Sequence, residues 1–224
     1  MSKLIDILDK YETDKGTIHG HEHGFSKFYE KYFEKIKNCQ NILEIGVGEG
    51  ASLYSWQEYF KEAFIFGADC VDKSEYNTDK IKCFILDQSD KSSLQKFVDN
   101  NNITFDLIID DGSHHMKDQQ LTLGYLFPIL KPGGLYILED LHTSLATNGH
   151  MMYGKPLEIY EDHSNTTLYY LNNMDKGSIY LTETQNNYIL KNILNIEFFT
   201  NEHYYPGGHF FQNKSITSAI LKTK

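Results

Sequence analysis

The sequence predicts an α/β fold, a mostly parallel sheet held between two layers of helices, and three observations predict it. Five short runs rich in β-branched and aromatic residues recur from residue 41 onward: NILEIGV (41–47), AFIFGAD (63–69), KCFILD (82–87), FDLIIDD (105–111) and LYILED (135–140). Each reads as a strand buried on both faces, the signature of a parallel sheet. Stretches of helical spacing separate them, so strand and helix alternate and the crossovers are right-handed. A glycine-rich turn follows the first strand, where open α/β sheets bind ligands.

Residues 1–40 precede this alternation and read as helical. Leu4, Ile5 and Leu8 form one apolar face, and Phe25, Phe28, Tyr29, Tyr32 and Phe33 a second, with a Gly/His-rich turn at 16–24 between them. The segment is predicted to be a helical cap on the same domain, with residues 41–224 forming its body. Helices follow the strands at Ser52 to Phe60, Ser89 to Val98 and Lys117 to Leu130, the last stopped by Lys131-Pro132-Gly133-Gly134. Residues 141–165 have no clean period and read as a long loop beside the site. The runs IEFFTNEHYYPGGHFFQ and SITSAILKTK predict an antiparallel hairpin on the sheet edge, turning at Pro-Gly-Gly.

Charge narrows the functions available. The 224 residues carry 31 acids against 21 basic residues, all of them lysine, for a net charge of −10. An acidic chain without the guanidinium fork is poorly equipped to neutralise phosphates, which argues against nucleic acid and an anionic membrane as partners. No apolar run approaches the roughly 20 residues that span a bilayer. Charges interrupt the apolar positions of the N-terminus, so no secretory leader is expected. Cys39, Cys70 and Cys83 form no CxxC pair, and the reducing cytoplasm is the expected location. Nine of the ten net negative charges lie between residues 41 and 140, the stretch that carries both motifs described next.

The first motif is Glu44-Ile45-Gly46-Val47-Gly48-Glu49-Gly50-Ala51-Ser52. Its glycines let the backbone turn tightly and approach a ligand. Gly46-x-Gly48-x-x-Ala51, with Asp69 beyond it, also satisfies the loose dinucleotide fingerprint, so glycine spacing alone leaves two ligand classes open. Glu44 tilts the choice toward a zwitterionic amino-acid cofactor over a pyrophosphate. Asp69 at the second strand end suits vicinal ribose hydroxyls, and Asp87-Gln88 at the third suits an adenine amino group. The second motif is Asp110-Asp111-Gly112-Ser113-His114-His115, joined by Glu139-Asp140 after the fifth strand. Carboxylates gathered at neighbouring strand ends repel, and a hard divalent cation such as Mg²⁺ relieves them.

In their order, LEIGVGEGAS, GAD, LDQSD, LIIDDGSHH and LKPGGLYILED resemble a class I S-adenosylmethionine-dependent methyltransferase. More narrowly they resemble the metal-dependent sugar O-methyltransferases of macrolide tailoring, the mycinamicin and macrocin type. The likeness covers about residues 11–140 and includes Thr13-Asp14-Lys15-Gly16. It implies a Rossmann-like three-layer sandwich, S-adenosylmethionine and Mg²⁺ as cofactors, and a sugar-containing acceptor. By the same likeness Asp111, Glu139 and Asp140 are metal ligands and His114 is the catalytic base. Glu44, the loop from Gly46 through Gly48 to Ser52, Asp69 and Asp87-Gln88 are cofactor contacts, and Asp110 is placed with them. After residue 141 no acceptor motif matches, and the extra N-terminal domain that macrolide enzymes can carry is not expected from this sequence, which leaves the acceptor open.

The chemistry expected is transfer of the sulfonium methyl to a hydroxyl, with the cation on Asp111 acidifying that hydroxyl and His114 taking its proton. His142 is a second candidate base or acceptor contact. Lys15 reads either as a surface lysine or as the partner of the cofactor carboxylate, and His115 as structural or functional. His19, His21 and His23 read as a loop folding over the pocket. Tyr29, Tyr204, Tyr205 and Phe210 could stack on sugar rings. The cap helix and the C-terminal strands offer surfaces for a homo-oligomer. Two rivals stay open: an NAD-linked oxidoreductase, against which the lack of a Tyr-x-x-x-Lys pair counts, and a cofactor-binding module without turnover.

Overall fold

A computed structural model describes residues 3–18, 23–146, 151–152, 155–157, 163–202 and 214–224. A seven-stranded sheet is its centre. The first five strands are parallel: β1 (Asn41–Ile45), β2 (Phe64–Asp69), β3 (Ile81–Ile85), β4 (Phe105–Asp110) and β5 (Leu130–Leu138). Two short ladder strands, β6 (Met151–Met152) and β7 (Lys155–Pro156), stand apart from it. The C-terminal pair β8 (Ile193–Glu202) and β9 (Lys214–Lys222) is antiparallel, and β9 inserts between β5 and β8. The order is therefore β3-β2-β1-β4-β5-β9-β8. The predicted C-terminal hairpin pair is present, with its Pro-Gly-Gly turn outside the described residues.

Strand periodicity sorts the core into two layers. In β1, Ile42 joins the cluster under α1 (Leu4–Lys10), α2 (Ser26–Phe33) and α3 (Ala51–Tyr59), while Leu43 and Ile45 join the cluster under α4 (Lys91–Asn101) and α5 (Met116–Leu126). In β5, Leu135 and Ile137 face the first layer and Tyr136 and Leu138 the second. Rings from the N-terminal segment pack on α3 in the first layer, with Phe33 edge-on to Trp56 at 5.7 Å and Tyr29 tilted against it at 6.3 Å. No described helix is long and apolar enough to cross a membrane.

Three departures from the sequence reading have local causes. Lys131-Pro132-Gly133-Gly134 lies inside β5 and not ahead of it. Leu130 already pairs with Phe105 and Leu135 with Leu107, so these four residues bulge opposite Asp106. Secondly, the stretch read as a loop from 141 opens with a 3₁₀ turn, Leu141–Leu145. Thirdly, two helices were not foreseen, α6 (Thr167–Asn172) and α7 (Glu183–Asn192). Only Ile189 of α7 is buried, so its apolar stripe is too thin to read. Its start was legible, because Thr182 and Gln185 form a capping box.

Asp106 stitches this bulge to β1. Its Oδ2 accepts from the backbone N–H of Gln40 and Asn41, each at 2.9 Å, and from Lys131 Nζ at 2.8 Å. Burial raises its pKa, but these donors outweigh burial and hold it below the ordinary 3.8. A carboxylate with a depressed pKa adds stability in full above its ordinary value and loses it as the pH falls through the lower folded value. Asp106→Ala is expected to cost about 2 kcal/mol at neutral pH. In urea denaturation the gap between wild type and variant should narrow as the pH falls below 3.8; a gap that does not change with pH would refute this role.

Candidate active site

The carboxyl end of β1 runs into three glycines that all adopt left-handed backbone, Gly46, Gly48 and Gly50 (φ 86°, 53° and 77°). They lead into the first turn of α3. Gly46 N–H donates to Ala68 O at 2.8 Å, tying the loop to β2. Asp69 closes the loop from behind, accepting from the N–H of Val47 at 2.9 Å and of Val71 at 3.0 Å. Glu44 is fully buried beneath it. Its Oε2 accepts from Ser52 Oγ at 2.7 Å, while Oε1 has no hydrogen-bond partner. Burial pushes the Glu44 carboxyl up to about 7 against the pull of Lys15.

The second motif divides between the two faces of the sheet. Asp110, still in β4, turns to the α5 side, where Tyr136 OH donates to it at 3.1 Å and Gln88 Nε2 at 3.3 Å. Burial pushes its carboxyl up to about 7. Gln88 also donates to Thr122 Oγ1 at 2.9 Å and accepts from the Ser113 N–H, so its amide braces the turn that carries His114. Asp87 accepts from Ser89 N–H and Oγ, closing its own turn. Asp87, Gln88 and Asp110, expected as cofactor contacts, lie outside the cleft lining, as do Glu44 and Asp69, and the side chains of Gln88 and Asp110 are committed to internal hydrogen bonds.

Asp111, one residue past the strand, turns the other way. Asp111, His114 and Asp140 each present a ligand atom, all within 4.8 Å of one another. His114 Nε2 is 3.3 Å from Asp140 Oδ2, and His142 Nδ1 is 3.6 Å from Asp140 Oδ1. Burial raises the Asp140 carboxyl, but His114, His142 and His23 around it hold it well below the ordinary carboxylate range. His114 and Asp140 both adopt left-handed backbone (φ 58° and 52°), strain that non-glycine residues accept chiefly at functional sites. His23 comes in from the N-terminal segment. Its ring stacks on His142 with centroids 6.4 Å apart, and its Nδ1 is 2.6 Å from Ser215 Oγ. His115 sits 3.4 Å from Met152 O through Nε2.

Glu139 stands apart from that trio, against Lys15 at 3.4 Å and facing the Tyr29 hydroxyl. Burial and Asp111 together raise its pKa well above the ordinary value, and Oε1 has no hydrogen-bond partner. The surface reading of Lys15 is corrected: it is buried, it lines the glycine-loop cleft, and its ammonium contacts Asp111 Oδ2. Tyr29 is fully buried and so unavailable to stack on a sugar. Tyr204, Tyr205, Phe210, His19 and His21 lie outside the described residues.

A cleft of about 400 Å³ opens between the glycine loop and the Thr13–Lys15 turn, and Gly46, Gly48, Ser52, Asp111 and His114 complete its lining. The acid cluster fits a hard cation, because Asp111 and Asp140 offer oxygen, His114 nitrogen, and Glu139 Oε1 is a buried acceptor with no donor. The cleft offers a zwitterionic ligand the Lys15 ammonium in its lining, with Glu44 outside the lining but bonded to the lining residue Ser52.

No protein-family model matches the chain. It is 35% identical over 149 residues to a rhamnosyl tetracenomycin-C 2'-O-methyltransferase from Streptomyces olivaceus, across 63% of this chain and 38% of that protein. It is equally similar, 35% over 149 residues, to the mycinamicin VI 2''-O-methyltransferase of Micromonospora griseorubida, across 63% of this chain and 36% of that one. Among solved structures, the MycE methyltransferase in complex with Mg and S-adenosylhomocysteine superposes on all of this chain with a TM-score of 0.75 and 27% identity. The fold is that of a class I methyltransferase. An O-methyltransferase from Bacillus cereus shares this methyltransferase fold at 14% identity and a TM-score of 0.55. The chain spans 55% of the MycE chain, and under two fifths of the curated relatives it matches.

Proposed function

We propose that the chain is a sugar O-methyltransferase that uses S-adenosylmethionine and Mg²⁺, with residues 1–40 as a cap on the methyltransferase body of residues 41–224. The observation that supports it most is the adjacency of His114, backed by Asp140 at 3.3 Å, to a glycine-loop cleft through the shared lining residue Asp111. A sugar in a glycan, a capsular polysaccharide precursor or a glycosylated natural product is the acceptor, and the reaction takes place in the cytoplasm.

Asp111, Asp140 and Glu139 are the residues that would hold the cation. Bound S-adenosylmethionine supplies an electrophilic methyl group, and a bound divalent cation supplies Lewis acidity toward a sugar hydroxyl. The chain's own residues do the rest. The His114 imidazole accepts the hydroxyl proton on the ring nitrogen that does not face Asp140, as the oxygen–methyl bond forms and the sulfonium–methyl bond breaks. The products are the methyl ether, S-adenosylhomocysteine and a protonated His114. Asp140, with His142 on its second oxygen, orients His114 and stabilises the imidazolium. Glu44 receives the cofactor ammonium, and Gly46 and Gly48 let the backbone approach it.

The test is methyl transfer from labelled S-adenosylmethionine to rhamnosylated and other glycosylated acceptors, with and without excess chelator. Chelation should abolish turnover and added Mg²⁺ should restore it; undiminished turnover in chelator removes the metal role. Calorimetry that finds NAD bound and S-adenosylhomocysteine not bound would overturn the cofactor assignment.

A further inference from the structure

The chemistry proposed above gives no role to the buried ammonium of Lys15. Lys15 is 2% exposed. Its ammonium contacts Asp111 Oδ2, with Glu139 Oε2 at 3.4 Å and Asp14 Oδ1 at 3.5 Å. The first two of these belong to the carboxylates proposed to hold the divalent cation. An ammonium and a divalent cation repel each other, so both cannot sit against Asp111 Oδ2 at contact distance without a large cost in a buried site. A cation that takes Asp111 Oδ2 therefore displaces Lys15 from it.

The structure also offers a destination. Lys15 lines the cleft together with Thr13, Gly46, Gly48 and Ser52, and among the described residues it is the only lysine in that lining. Its flexible four-carbon stem carries a compact charge that reorients easily. The amino-acid portion of the cofactor brings both an ammonium and a carboxylate, and Glu44 serves only the ammonium. A carboxylate buried in this cleft needs a cation; among the described residues Lys15 lines the cleft, whereas Lys73, also at the glycine loop, spends its ammonium on Gly48 O at 2.6 Å.

We propose that Lys15 couples metal binding to cofactor binding: it neutralises Asp111 and Glu139 until a divalent cation takes them, and then turns into the cleft to pair with the cofactor carboxylate. The inference rests on the methyltransferase reading. Each ligand then favours the other, and the coupling must be reciprocal.

The test is calorimetry on the full chain with S-adenosylhomocysteine and Mg²⁺ as probes, without turnover. In the wild type, Mg²⁺ should tighten S-adenosylhomocysteine binding by about tenfold, and S-adenosylhomocysteine should tighten Mg²⁺ binding by the same factor. Lys15→Met removes the competitor for the carboxylates, so Mg²⁺ should bind more tightly while S-adenosylhomocysteine binds more weakly and ignores Mg²⁺. Lys15→Arg keeps the positive charge and with it the fold. Its planar fork grips carboxylates more persistently, so Mg²⁺ affinity should fall and the coupling vanish. Should the methionine variant fail to fold, the wild type and the arginine variant decide the matter. Wild-type binding of S-adenosylhomocysteine that is indifferent to Mg²⁺, or full coupling retained in either variant, overturns the inference alone. No binding of S-adenosylhomocysteine in any state overturns the methyltransferase reading beneath it.

Discussion

His114→Asn is expected to lower kcat by about 10² to 10⁴-fold while leaving S-adenosylhomocysteine binding intact. Asparagine tolerates the left-handed backbone that His114 occupies at φ 58°, so the substitution removes the imidazole without straining the turn. That turn is held independently of the ring, since Ser113 N–H donates to Gln88 Oε1 and Ser113 Oγ donates to Asp118 Oδ2 at 2.8 Å. The loss should therefore fall on proton transfer. Single-turnover kinetics alongside calorimetry separate the two effects, and an unchanged kcat would dismiss His114 as the base. His142 is the nearest substitute, standing 3.6 Å from the other oxygen of Asp140. A residual rate in His114→Asn that disappears in the double variant with His142→Asn would identify it as such.

Among the described glycines, Gly46→Ala should be the most damaging substitution. A Cβ at Gly46 would lie 2.0 Å from Asp111 O, 2.7 Å from Asp111 C and 2.9 Å from Gly112 Cα, all backbone atoms. Gly46 also holds φ at +86°, where an L side chain is strained. Relief requires the glycine loop and the Asp111–Gly112 turn to separate, which dismantles cleft and acid cluster together. Overpacking and backbone strain together should destabilise the protein by about 3 kcal/mol or more and abolish S-adenosylhomocysteine binding. Gly48→Ala is the control: its φ is +53° but a Cβ there meets nothing within 4 Å, so only the strain of about 1 kcal/mol is expected. Urea denaturation of the two variants checks the contrast, and equal losses would show that the contact with Asp111 is not what matters.

Much of this architecture was legible because it is written in local patterns. Five β-branched runs and the helical stretches between them placed the sheet, and the two motifs fell at strand ends as glycine and acid content suggested. The C-terminal strands were visible through their own alternation and turn residues. Helix α7 was overlooked because a helix with a single fully buried residue has almost no periodic signal, although its capping box was on view. The KPGG segment reads as a helix stop by composition, yet becomes a bulge because Leu130 has already paired with Phe105.

Within the site, local patterns specify which chemical groups are present and which strand ends carry them. Glycines, carboxylates and imidazoles follow the strands in a fixed order, since turn chemistry and strand period are properties of neighbouring residues. Which of these groups meet depends on the packing of segments far apart in the chain. Asp110 and Asp111 are adjacent in the chain but serve opposite faces of the sheet, because successive side chains of an extended strand point apart. Asp110 is thereby buried against Tyr136 and Gln88, and Asp111 is delivered to the cleft. Lys15 finds its partner Asp111 96 residues away, and His23 finds Ser215 192 residues away. Such pairings depend on how the N-terminal segment packs over the finished sheet, and no window of sequence contains them.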